Sequence, residues 1–316
     1  MIPYPDFPLV WDNSMRSLFF ECPQAFFWEQ MLHFKSKVPN VHLHAGKAWA
    51  GALEETRRAF YEKKFSAEES IALGLQTLVY LYGDFDAGPF HQNKSVSSLI
   101  KAFTYYFQAF PLDKDPAQPY MGKTGPMIEF SFALPLDDSL RHPVTDEPIL
   151  YTGRADMIAT YAGALTIYDD KTTSSLGPKW GEQWDRRAQF TAYTWAARAF
   201  GIHVSQVLVR GIALLKNETK HAQHLTFRLD HHIEEWHFQM VRDIRRAIQN
   251  WKDRYWDKNL DSGCASFGVC TFKTPCQSPS PISWLTGGNF SRRKWDPLVR
   301  TETELEIPHE DIPPQS

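Results

Sequence analysis

At 316 residues with 43% hydrophobic and 14% aromatic content, the chain can bury a large core as one big domain or a main domain with a smaller lobe. A net charge of -3 and a pI near 6.5 give no global sign of nucleic-acid binding, leaving only local clusters such as Arg292, Arg293 and Lys294 for phosphate contacts. No apolar run approaches the roughly eighteen residues of a membrane span, and the start MIPYPDFPLVWDNS has neither a basic n-region nor an apolar h-region. A soluble, cytoplasmic protein with no membrane partner is expected.

From about 14 to 110 the pattern is helical. SMRSLFFECPQAFFWEQM is rich in aromatics, and HAGKAWAGALEETRRAFYEKK is apolar at 48, 49, 52, 53, 59 and 60 with charges between. Loops around Gly83, Gly88 and Pro89 break that pattern. The period then changes: in MIEFSFALP, Ile128, Phe130, Phe132 and Leu134 alternate with Glu129, Ser131 and Ala133, as in a half-buried strand. Two further strand-like runs, ILYTGRADMIATY and ALTIYDDKTT, meet at Ala162-Gly163 and predict a hairpin. A helix over roughly Asp185 to Phe200, a strand QVLVRGIALL and a long amphipathic helix follow, the last with Ile233, Trp236, Met240, Ile244, Ile248 and Trp251 on one face. From about 257 the chain is loop-rich, holds three of the four cysteines and ends in EIPHEDIPPQS, expected to be mobile.

The hairpin gathers chemistry. A turn centred between Ala162 and Gly163 places Asp156 opposite Asp169, and period-2 alternation puts Asp169 and Lys171 on one face with Asp170 on the other. Facing carboxylates repel, so they either stand as solvated strand-end charges or hold a hard divalent cation such as magnesium or manganese between them. The nearby lysine could orient or deprotonate a water, or neutralise charge on a phosphate. Downstream, Gln189 and Tyr193 are spaced i, i+4 on a helix that can reach back over the strand; taken alone, a buried amide and phenol in a core helix is the plainer reading.

Together GRADMI with Asp156, YDDKTTS with Asp169 and Lys171, and QFTAY with Gln189 and Tyr193 resemble the PD-(D/E)XK nuclease superfamily, in its RecB-like branch of phage exonucleases, AddB-type nuclease domains and CRISPR-adaptation exonucleases. The resemblance implies an α/β fold: a mixed central sheet flanked by helices (a restriction-endonuclease-like core), with an N-terminal helical part and a C-terminal cysteine-bearing segment. The expected division is a single nuclease domain over 1–305 (helical part 14–110, core 125–255, cysteine segment 257–296) and a tail over 306–316. It implies Asp156 and Asp169 as metal ligands aided by the Asp170 carbonyl, Lys171 positioning the attacking water, and Gln189 and Tyr193 steadying the site or the DNA. Where the family often carries a histidine, this chain has Ala50, which leaves Glu54 and Glu129 as further candidate ligands. Lys179, Arg186 and Arg187 are candidates for phosphate contacts, while Trp180, Trp184 and Trp195 could stack on bases or pack in the core.

Cys22, Cys264, Cys270 and Cys276 lack a C-x2-C step, so spacing alone favours unlinked thiols over a zinc ribbon. The resemblance implies a 4Fe-4S cluster joining both ends of the chain, since some RecB-like nucleases use one N-terminal and three C-terminal cysteines. The function implied is a metal-dependent DNA nuclease, an exonuclease of phage or bacterial DNA processing or recombination, in the cytoplasm of a bacterial host, with a helicase or recombinase as candidate partner. Two rivals stand: a DNA-binding or assembly protein on the same scaffold without turnover, supported by Ala50, and a hydrolase of small phosphate esters, for which no phosphate-cradling glycine loop is present.

Overall fold

The computed structural model describes residues 4–216, 218–260, 264 and 270–307; the expected mobile tail falls almost wholly outside the described residues. In chain order the elements are β1 (Val10–Trp11), α1 (Asn13–Glu21), α2 (Pro23–Phe26), β2 (Phe34–Ser36), α3 (Val41–Arg57), α4 (Ala67–Tyr82) and α5 (Val96–Ala109). Then come the short strands β3 (Gln118–Pro119), β4 (Met121–Gly122) and β5 (Gly125–Pro126), and the longer β6 (Ile128–Pro135), β7 (Leu150–Tyr161) and β8 (Ala164–Thr173). The rest is α6 (Ala188–Ala199), β9 (Gln206–Leu214), β10 (Thr219–Phe227), α7 (Asp230–Asp253), α8 (Lys273–Gln277), α9 (Pro281–Thr286), β11 (Phe290–Asp296) and β12 (Thr301–Leu305). Two compact units result, one of Met1–Pro39, Phe132–Gly153 and Glu234–Ser316, the other of Asn40–Ser131 and Arg154–Ile233.

In the second unit β7 and β8 form the expected hairpin, paired antiparallel from Tyr161↔Ala164 back to Met157↔Tyr168. Its two turn residues, Ala162 at φ 49° and Gly163 at φ 78°, both have the left-handed backbone that tight two-residue hairpins require. β8 then crosses through α6 to β9, which runs parallel to it from Thr166↔Gln206 to Thr173↔Ala213, and β10 returns antiparallel along β9. Parallel and antiparallel neighbours make the sheet mixed, as expected, with helices packed against its strands.

Local chemistry starts the helices of this unit. Asn40, Ser66 and Ser95 accept hydrogen bonds from the first-turn amides of α3, α4 and α5, and Ser66 with Glu69 forms a reciprocal capping box. Small residues let α3 and α4 approach closely: a Cβ on Gly74 would fall 1.9 Å from Thr56 Oγ1 and 2.9 Å from the Ala52 carbonyl. Trp49, Leu53, Leu78, Leu99, Phe103 and Tyr106 form the buried core between these helices, which continues to Ile212 and Leu214 of β9. Truncating Phe103 to alanine there would cost about 3–5 kcal/mol.

In the first unit the aromatic run packs Trp11, Phe19, Phe26, Phe27 and Trp256 ring against ring, with Trp11 and Phe26 stacked at 5.0 Å. The run is two helices rather than one. Pro23 disfavours helical backbone at the residue before it, and Cys22 is extended at φ -159°, ψ 108°. Trp236, Met240 and Ile244 of α7 are buried as the periodicity predicts. The C-terminal region expected to be loop-rich contains β11, paired with β12 and β2. Its FSRRKWD sequence hides a strand because its charges are paired across the ladder: Arg293 meets Glu302, and Lys35 of β2 meets the same carboxylate. Arg292 donates to the carbonyls of Leu32 and Glu306, so Arg292 and Arg293 serve this small sheet.

Candidate active site

The site is assembled on the end of the β7–β8 hairpin. Asp156 and Asp169 lie one step beyond Met157↔Tyr168, the last pair of the ladder, and the Asp169 carboxyl feels the charge of Asp156, as the turn position predicts. The amide of Asp170 donates to Asp156 Oδ2 at 2.8 Å, which ties the two strands there. Asp169 is 1% exposed and forms an ion pair with Lys171 on the same face of β8. Lys171 also lies 5.8 Å from the ring centroid of Phe190, so α6 does reach back over the strand.

The electrostatics follow from packing charge into little water. Burial first, then Asp156, pushes the Asp169 carboxyl up to about 7, with Lys171 pulling the other way. Asp156 is raised by burial and Asp170, again against Lys171. Burial opposes the Lys171 ammonium, yet Asp169 and Asp156 outweigh it and raise its pKa. Lys171 is therefore a fixed positive charge in this state, better suited to orienting a water or meeting a phosphate than to deprotonating one.

Glu129 and Glu54 approach from β6 and α3. Arg154, two residues before Asp156 on β7, bridges them, with Nε 2.6 Å from Glu129 and Nη1 3.7 Å from Glu54. Burial and the Asp156 charge push Glu129 up to about 8. Its φ of 55° is a left-handed conformation that costs a non-glycine residue on the order of 1–3 kcal/mol. Glu54 also pairs with Arg58 at 3.0 Å, one turn further along α3. Position 50 is a solvent-exposed alanine, so α3 offers no imidazole there.

A surplus of carboxylate charge that raises its own pKa values is what a divalent cation relieves, and on that ground Asp156 and Asp169 fit one. Among the described residues, however, no group of three His, Cys, Asp or Glu side chains is arranged to hold a metal ion. The donor set on offer is the aspartate pair, completed by backbone oxygen and water.

The other face of β8 carries a buried network that the sequence did not announce. Arg57 of α3 pairs with Asp170, while Tyr106 and Tyr168 donate to Asp170 Oδ1 at 2.9 and 3.1 Å. Arg210 of β9 donates to Tyr106 Oη at 3.0 Å and grips Asp115 with two bonds of 2.7 and 2.9 Å. Burial works against the Arg57 charge, but Asp170 and the two phenols outweigh it and raise its pKa. Asp170 thus contributes a locked side chain on one side and its backbone to the site on the other. One signal was readable, a lone arginine inside the apolar run QVLVRGIALL; the partners Tyr106 and Asp115 are far away in sequence.

Gln189 Nε2 donates to Tyr193 Oη at 2.7 Å, so this pair shares one face of α6 as its spacing predicts. Lys179, Arg186 and Arg187 are exposed on the segment between β8 and α6. Trp180 and Trp184 are each 8% exposed and meet edge to face at 5.8 Å, so they chiefly pack.

All four cysteines belong to the first unit, and none is in a disulfide. Cys22 sits at the break between α1 and α2, Cys276 in α8, and the Cys270 amide donates to the Cys264 carbonyl at 3.2 Å. Burial raises the Cys270 thiol against a backbone hydrogen bond from Phe272, and the charges of Cys264, Cys22 and Cys276 add to the rise.

The superfamily model of PD-(D/E)XK nucleases matches residues 14–277, and the chain belongs to that superfamily. Among solved structures, a protein from Eubacterium rectale described as a "putative exonuclease" aligns at 14% identity over 88% of this chain and 92% of its own, with a TM-score of 0.49. A second, SSO0001, aligns at 15% identity over 65% of this chain and 80% of its own, with a TM-score of 0.27. No curated protein matches the chain. Among the described residues, no helix is long and apolar enough to cross a membrane.

Proposed function

We propose that the protein is a metal-dependent DNA nuclease, an exonuclease of the RecB-like branch acting in phage or bacterial DNA processing, in the cytoplasm and alongside a recombination or helicase partner. The observation that carries this reading is the convergence of Asp156, Asp169 and Lys171 at one strand end in a chain of the PD-(D/E)XK superfamily. Asp156 and Asp169, with the Asp170 carbonyl, would hold Mg2+ or Mn2+, and Glu129 or Glu54 would be the further ligand. Bound there, the cation supplies Lewis-acid neutralisation of phosphate charge.

The chain's own residues do the rest. Lys171 keeps its ammonium charged between the aspartates and a phosphodiester, where it orients the attacking water and offsets charge that develops on the phosphate. Gln189 and Tyr193 hold each other on α6 and steady that side of the site. Arg57, Tyr106 and Tyr168 fix Asp170, and through its amide they fix Asp156. Lys179, Arg186 and Arg187 supply exposed charge for the DNA backbone.

The four cysteines would bind a 4Fe-4S cluster with a structural role. The reading is supported by their shared neighbourhood and by the thiolate number such a cluster takes.

Digestion of end-labelled single- and double-stranded DNA, with Mg2+, with Mn2+ and with EDTA, tests the proposal. Cleavage that requires a cation is expected. A folded, cluster-bearing protein that binds DNA but cuts none would favour the second reading, a DNA-binding protein without turnover, to which the exposed Ala50 points.

A further inference from the structure

Beside the hairpin aspartates the chain places a cation of its own. Arg154 leaves β7 on the same face as Asp156, one strand repeat away, which is about 6.6 Å along a strand. Its guanidinium spans two other elements: Nε is 2.6 Å from Glu129 of β6, and Nη1 is 3.7 Å from Glu54 of α3. Among the described residues no three acidic, histidine or cysteine side chains are arranged to hold an ion, and this bridge engages two of the four carboxylates on offer.

The other charges nearby are committed. Lys171 pairs with Asp169, and Asp170 is held by Arg57 on the opposite face of β8. Arg58 is shared between Glu54 and Glu62 at 3.0 and 2.9 Å, so its charge is offset by Glu62. Carboxylates that ligate a metal are ionised. Asp156, Asp169, Glu129 and Glu54 then carry four negative charges against the two positive charges of Lys171 and Arg154. The remainder of two is the complement of one divalent cation. Without Arg154 three would remain, more than one such ion offsets.

A guanidinium and a divalent cation compete for the same carboxylates, by repulsion at short range and because an oxygen turned to one is drawn from the other. The Arg154 side chain is 33% exposed, so ions from solvent can reach the bridge. We propose that Arg154 is a specificity-determining residue that holds the site to one divalent cation: its guanidinium fills the position between Glu129 and Glu54 that a second ion would take. Either glutamate joins the ion on the aspartates only by loosening its bond to Arg154. The inference rests on the nuclease reading and deepens it, because it sets how many ions serve the phosphodiester.

The test is the number of Mn2+ ions bound per chain, counted from the EPR signal of the free ion, in full-length protein stripped of divalent cations on a chelating resin. The parent should bind one. Arg154→Gln, which keeps an amide donor and drops the charge, should bind two, the first at least about tenfold tighter because a unit charge has gone from close range. Arg154→Lys keeps the charge and should stay at one. Adding Glu129→Gln to Arg154→Gln should return the count to one, which places the second ion at the bridge. Without cation, Arg154→Gln should melt below the parent and gain more from Mn2+ than the parent does. Two ions in the parent, or one at the parent's affinity in a folded Arg154→Gln, overturns the assignment. DNA cleavage is scored separately: a parent that binds one ion and cuts nothing counts against the nuclease reading alone, and one that binds none counts against both.

Discussion

The backbone amide of Asp170 and the carboxylate of Asp156 are joined across the hairpin by a 2.8 Å hydrogen bond, so the candidate ligand from β7 is positioned by the main chain of β8. Asparagine at 156 keeps an oxygen for that amide and removes the charge that raises Asp169. In EDTA, Asp156→Asn should therefore melt with or slightly above the parent, whereas Asp156→Ala should lose about 1–3 kcal/mol from the orphaned amide. Calorimetric titration should show divalent-cation affinity falling at least about tenfold in both; Asp156→Asn binding Mg2+ as tightly as the parent would remove this residue from the site.

The raised carboxylates give a pH dependence of definite sign. Glu129 has a folded pKa of about 8 against an ordinary 4.5, so its contribution to stability is fully present below about pH 4.5 and lost as pH rises through 8. Asp169, at about 7 against 3.8, acts in the same direction. Metal-free protein should lose melting temperature between about pH 5 and 9, and Glu129→Gln should flatten the upper part of that loss. Saturating Mg2+ should reduce the slope, because the cation replaces the protons. A parent profile in EDTA that rises across this range would contradict the assignment.

The Arg57–Asp170 pair is buried, and breaking it strands a charge. Arg57→Ala should cost about 3–5 kcal/mol in urea unfolding. Tyr106→Phe removes one donor to Asp170 and should cost about 1–3 kcal/mol. Losses of a few tenths of a kcal/mol in both would mean that the network contributes little to the fold.

Anaerobically purified protein should be brown and contain about four irons per chain, the complement of one cluster. Cys22→Ser and Cys276→Ser should each lose most of that iron and lower the melting temperature. Colourless, iron-free parent protein with four titratable thiols would contradict the cluster.

The hairpin site was legible because a two-residue turn and a period of two fix which side chains meet: Ala162-Gly163 alone placed Asp156 with Asp169 and turned Asp170 away. The shared face of Gln189 and Tyr193 followed equally from helical spacing, and the structure adds the bond between them. Arg57 carries no signal in the sequence for its role: the helix turns it to Asp170, while the next residue, Arg58, pairs with Glu54. Arg154 could have been found, since period-2 alternation places it on the face of Asp156. The Tyr106–Arg210–Asp115 contacts could not, because they join segments whose approach is set by tertiary packing. β11 was missed because a strand made of cross-paired charges carries no hydrophobic alternation.

The most direct measurement is single-turnover cleavage of end-labelled DNA with Mn2+ by the parent and by Lys171→Ala, both shown to be folded by their melting curves. Cation-dependent cleavage by the parent is expected, with a fall in rate on the order of 10²–10³-fold or more in the variant. Equal rates in the two proteins, or cleavage that persists in EDTA, would contradict the central role of Asp156, Asp169 and Lys171.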